Sequence, residues 1–168
     1  ACVARDLIRN MQHPGRGKTM EKWQQEFAQR VGALREQWAH AFANFAKGTL
    51  APVFKQFAEF TQRLELQAIQ VQGHDEMYSY KFSLCEDAYV LLYFRPRGVD
   101  LIEFDYECFV PGAGRVAGVK SSASARSAEK HWVEACFRMA LDDLVTRFTE
   151  RDKTRPANRP QEEPVLVA

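Results

Sequence analysis

Between Met20 and Phe45 the apolar positions fall at Met20, Trp23, Phe27, Val31, Leu34, Trp38, Ala41 and Phe45, with Lys, Gln, Glu and Arg between them. Steps of three and four residues place them on one face of a helix. Thr19 is suited to the N-cap and Glu21 to the first turn. Gly48 can end the helix in the left-handed region, and Pro52 can open a second one. That second helix carries Val53, Phe54, Phe57, Phe60 and Leu64. The pattern predicts either a helical hairpin or one long broken helix.

From about residue 66 the period becomes two. A short strand around Ala68–Gln72 precedes the turn Gly73-His74-Asp75-Glu76. Tyr78, Tyr80, Phe82 and Leu84 then alternate with Ser79, Lys81 and Ser83, the signature of a half-buried strand. Tyr89–Arg95 is apolar on both faces and reads as central, with a turn at Pro96-Arg97-Gly98. Ile102, Phe104, Tyr106 and Cys108 alternate with Glu103, Asp105 and Glu107. After a looser turn at Pro111–Gly114, Gly118–Ala125 predicts a weaker, small-residue strand. Short turns between successive strands imply an antiparallel meander.

Ser127 is the expected N-cap of a last helix, whose broad apolar face carries Trp132, Val133, Cys136, Phe137, Ala140, Leu141, Leu144, Val145 and Phe148. The fold class is α+β: an N-terminal helical hairpin or one broken long helix, an antiparallel meander of four to five strands, and a C-terminal amphipathic helix packed on the sheet. Residues 1–18, interrupted by His13-Pro14-Gly15-Arg16-Gly17, read as a flexible basic arm. Residues 19–150 read as one α+β domain (helices 19–65, sheet 66–126, helix 127–150), and 151–168 as a disordered proline-rich tail.

Composition narrows function mainly by exclusion. The 168 residues are 46% hydrophobic and 12% aromatic with a net charge of +1, ordinary for a globular chain. Bulk positive charge is therefore not a route to nucleic acid. The total conceals a segregation: nine basic and five acidic residues in 1–60, four and nine in 61–110, ten and eight in 111–168. Internal pairing or head-to-tail contact suits that pattern better than one anionic partner. Cys2, Cys85, Cys108 and Cys136 include no C-x-x-C pair, so neither a structural zinc site nor a disulfide framework is expected. Neither a membrane-spanning stretch nor a signal-like apolar segment is apparent, and a reduced, cytoplasmic setting is the expectation.

Several strings invite a chemical reading. Gly15-Arg16-Gly17-Lys18-Thr19 ends like a phosphate-binding loop, yet Gln12 stands where that loop requires glycine, and no buried strand precedes it. Gly112-Ala113-Gly114-Arg115-Val116-Ala117-Gly118 has glycines at the wrong spacing for a dinucleotide loop and reads as a hairpin turn. Glu103, Asp105 and Glu107 lie about 7 Å apart on one strand face and form the weak alternative for a metal or an acid–base pair. The simpler expectation is a solvated face crossed by ion pairs, with Lys81, Arg95, Lys120 and Arg126 opposing them. His74 and Cys85 occupy consecutive turns, which a meander holds at opposite ends of the sheet, so they make a poor catalytic pair. No motif calls for a cofactor.

The aromatic residues of the helical region are more numerous than one sheet face needs. Trp23, Phe27, Trp38, Phe42 and Phe45 are the candidate interaction residues, since such side chains are enriched at interfaces. The leading expectation is a non-enzymatic interaction or assembly module that binds a protein partner or a second copy of itself. The alternative is nucleic-acid binding through Arg5, Arg9, Arg16 and Lys18 with the basic face of the first helix. A third reading is an enzyme or small-ligand protein using the acidic strand face, or a cavity lined by Tyr78, Tyr80 and Tyr106.

Overall fold

A computed structural model describes residues 21–74, 76–98 and 100–154. The expected arm with its phosphate-loop-like string, the expected cap Thr19, the apolar Met20 and residues 155–168 lie outside the described residues, while residues 151–154, expected to open a disordered tail, continue the last helix. The chain begins with α1 (Lys22–Phe45), capped by Glu21 and Gln24, whose side chains reciprocally bond each other's backbone N–H. A π-helical turn, Ala46–Leu50, leads directly into α2 (Ala51–Gln62).

Of the two expected arrangements, a hairpin or one broken long helix, the second is found: the helix runs on through the π-turn. Phe45, Ala46, Leu50 and Ala51 all keep right-handed helical dihedrals, and Gly48 does not reverse the chain. The Ala51 N–H donates to the Ala46 carbonyl, five residues back, so the turn holds one residue more than an α-turn. Pro52 follows immediately, where the ladder has already changed and a missing N–H disturbs it least.

The inserted residue also explains how one helix can use two apolar stripes. At about 100° per residue, Leu50, Val53, Phe54 and Phe57 would sit far around the helix from Phe42 and Phe45. One extra residue removes roughly one residue's rotation. Both stripes then face the same sheet.

That sheet has six strands: β1 (Gln67–His74), β2 (Met77–Cys85), β3 (Ala88–Arg97), β4 (Leu101–Val110), β5 (Gly114–Ala117) and β6 (Ser121–Ser124). The order is β1-β2-β3-β4-β5, all antiparallel, and β6 pairs with the other half of β4. The weak strand expected over Gly118–Ala125 is the shorter β6, and β5 adds a strand inside Gly112–Gly118, where the sequence predicts a turn. β5 lies along Glu107–Val110 and β6 along Leu101–Phe104, with Gly118 pressed against the Tyr106 ring between them. Pro96 and Arg97 belong to β3, and its turn begins at Gly98, with Gly98 and Asp100 both at positive φ.

Helix α3 (Lys130–Thr154) crosses the inner face of β3 and β4. Its first amides bond Glu129, not the expected cap Ser127, which lies in the turn after β6. The Trp132 indole donates to Ser121 Oγ at 3.1 Å, tying α3 to β6. Every second residue of β3 and β4 points inward, and these interlock with the helices through an aromatic cluster centred on Phe137, whose ring lies 5.3–6.4 Å from those of Phe54, Phe57, Tyr80, Phe82 and Phe94. Among the described residues no helix is long and apolar enough to cross a membrane.

Candidate interaction surface

The sheet covers only part of the long helix. Phe42 and Phe45 are 1% and 6% exposed, and Leu50 and Val53 are fully buried. Phe42 stacks on Phe45 and meets the Tyr78 edge, and Phe45 tilts against Trp132. These two members of the expected interaction set are therefore core residues, because the apolar face at that level already has the sheet and α3 against it.

Toward the N-terminus the same face continues without cover. Trp23 is 60% exposed, Phe27 61% and Leu34 46%, while Val31 is partly shielded. At 1.5 Å per residue, the segment from Lys22 to Gln37 projects about 24 Å beyond the body. Trp23 is held down locally, its indole donating to the Glu21 carboxylate at 2.7 Å.

Trp38 marks the boundary. It is half-buried, with the Arg126 guanidinium 5.0 Å from its ring centroid, and it lines a small crevice with Phe42, Pro96, Leu101 and Ala125. Its indole nitrogen is buried without a hydrogen-bond partner. Arg126, expected to oppose strand carboxylates, instead gives this ring a cationic lid.

The acidic strand face is arranged for mutual neutralisation. Arg95 bonds Asp105 and lies 3.7 Å from Glu103, Arg97 lies 3.4 Å from Glu103, and Arg115 bonds Glu107. The Tyr93 hydroxyl also faces Glu107 at 3.5 Å, and proximity to that carboxylate adds to burial in raising the phenol's pKa. Lys81 sits 3.9 Å over the Tyr89 ring, away from the carboxylates, and Tyr89 stacks on Phe109. Arg97 and Arg115 are partners that strand alternation alone did not single out. Among the described residues no group of three His, Cys, Asp or Glu side chains is arranged to hold a metal ion.

The space expected between sheet and helices near the three tyrosines is filled by rings. Tyr80 stacks on Phe54 at 4.4 Å, and its hydroxyl is buried without a partner. Tyr106 donates to Asp143 at 3.2 Å, and Asp143 in turn accepts from Arg147 at 2.8 Å and lies 3.8 Å from the Cys108 thiol. Burial, reinforced by the Asp143 charge, pushes both the Tyr106 phenol and the Cys108 thiol up to about 12. A thiol so buried and held protonated is a packing group, not a nucleophile. Cys85 is exposed at the far end of β2 from the turn that follows β1, nine residues of strand away, as the meander requires. Arg5, Arg9, Arg16 and Lys18 lie outside the described residues.

Comparison of the chain with protein-family models, with curated proteins and with solved structures gives no match.

Proposed function

We propose that the chain is a non-enzymatic interaction module whose working surface is the projecting face Trp23, Phe27, Val31, Leu34 and Trp38. The observation that carries this reading is a continuous apolar stripe that is core below Trp38 and open above it. Large aromatic side chains held on a rigid helix contribute much contact area for little conformational entropy, which suits them to binding. The rest of the fold serves as an anchor: Glu103, Asp105, Glu107 and Asp143 each face an arginine, and the Cys108 and Cys136 thiols are held protonated in the core.

A photo-cross-linking amino acid tests this surface. Placed at Phe27 in the native cell it is expected to give discrete adducts, and placed at Glu36 on the opposite helix face it is expected to give none. Equal cross-linking from both positions, or none from Phe27, contradicts the proposal.

A further inference from the structure

We infer that the occupant of this face is a second copy of the same chain, with the two projecting helices packed antiparallel; this rests on the interaction reading above. From Phe27 to Phe45 the apolar steps are four, three, four, three and four, the alternation of a coiled-coil seam rather than of a surface helix. Phe27, Leu34 and Ala41 then take the d positions, and Val31, Trp38 and Phe45 the a positions. A seam of this kind accepts another helix.

The body decides the orientation. A parallel partner, followed past Trp38, would run where the first copy's own sheet packs on Phe42, Phe45, Leu50 and Val53. An antiparallel partner meets no such obstruction when the two projecting segments overlap end to end, because each body then lies beyond the other helix's N-terminus. In that overlay Phe27 faces Val31 of the other copy, and Val31 faces its Phe27.

Flanking charge agrees. Glu21, Ala28 and Arg35 share the e positions, which face their own kind in an antiparallel pair. Glu21 of each copy, whose carboxylate also caps its own helix and accepts from Trp23, therefore lies near Arg35 of the other, with the small Ala28 side chains at the two-fold axis. A parallel pair would instead set Arg30 against Arg35 twice. Arg30 meets its own copy near the axis, the one like-charge approach in the antiparallel arrangement, and Glu26 lies one helical turn away. The exposed stripe with its flanking side-chain stems offers on the order of 500 Å² per copy. A pair thus buries about 1,000 Å², the lower edge of a specific interface. The dimer is accordingly reversible, with dissociation in the micromolar range or weaker.

Sedimentation velocity of the full chain, from low micromolar to several hundred micromolar, is expected to show a concentration-dependent monomer–dimer equilibrium. F27D/V31D, at positions outside the body's core, is expected to remain monomeric throughout with an unchanged unfolding midpoint. Orientation is read by spin labels on Ala28→Cys or Lys22→Cys, each in a Cys2→Ser, Cys85→Ser background. The antiparallel pair predicts a short distance at position 28 and one longer by about 20 Å at position 22. A chain monomeric at every concentration, a dimer unaffected by F27D/V31D, or equal distances at both labels overturns the inference. If the monomer nevertheless cross-links to a different protein from position 27, only the second-copy inference fails. If position 27 also gives no adduct, the interaction reading fails with it.

Discussion

The two halves of the long helix carry the same periodic stripe and lead different lives. From Phe42 to Phe57 the apolar face is packed on the sheet and α3; from Trp23 to Leu34 it faces solvent, as does Phe60, which lies off the packed face. Helical periodicity therefore reports that a face is apolar without saying what covers it. The covering is decided by how far the sheet extends, and the sheet ends near Trp38, at the β3–β4 turn and Ala125.

The sharpest way to separate the halves is by truncation. Phe137→Ala, at the centre of the ring cluster, is expected to lower unfolding free energy by about 3–5 kcal/mol, and Phe27→Ala by no more than about 0.5 kcal/mol in the monomer. Denaturant titration of both variants at low concentration checks this. Comparable losses would mean that the projecting face is packed against the body.

Alkaline pH should act on the body. Burial raises the Cys136 and Cys108 thiols from 9.0 to about 12, and the Tyr106 phenol from 10.0 to about 12. A group whose folded pKa is raised stabilises fully below its unfolded pKa, and that contribution is lost as pH climbs toward the folded value. Stability is thus expected to be unaffected by these groups below about pH 8 and to fall between about 9 and 12. Thermal unfolding across that range in reducing buffer measures it, and a flat profile would contradict the burial of these groups.

Two glycines give smaller contrasts. A Cβ at Gly118 would stand 2.1 Å from the Tyr106 ring, so Gly118→Ala is expected to cost about 1–3 kcal/mol in denaturant titration. Gly32, in the projecting helix, has open space where a Cβ would go. Gly32→Ala should raise helix content by circular dichroism, with a local gain of about 0.5–1 kcal/mol, and leave the body's unfolding midpoint in place. A shifted midpoint would show the two halves to be one cooperative unit.

Much of this architecture was legible in sequence because single-period signals were strong. The alternation from Ile102 to Cys108 marks β4 and its inward residues, and the apolar positions from Trp132 to Phe148 mark α3. What was not legible arose from tertiary context. Pro52 after Gly48 signals a break by local rules, but the π-turn absorbs it because both stripes gain by facing one sheet. The added strand β5, inside the glycine-rich turn segment, follows from β4 being long enough to pair with both β5 and β6. At the candidate surface the five aromatic residues share one pattern, and only the sheet's extent sorts Phe42 and Phe45 into the core while leaving Trp23 and Phe27 outside. The pairing of Arg95 with Glu103 follows from the β3–β4 register, which the turn at Gly98–Asp100 sets.

Hydrogen exchange along the long helix tests the central claim most directly. At submicromolar concentration, where the monomer prevails, amides from Phe42 to Thr61 are expected to exchange only with global unfolding. Those from Gln25 to Gln37 should show the slight protection of a helix without tertiary cover. Uniform protection across Trp38 would contradict the account, because the projecting face would then already be covered by the chain itself.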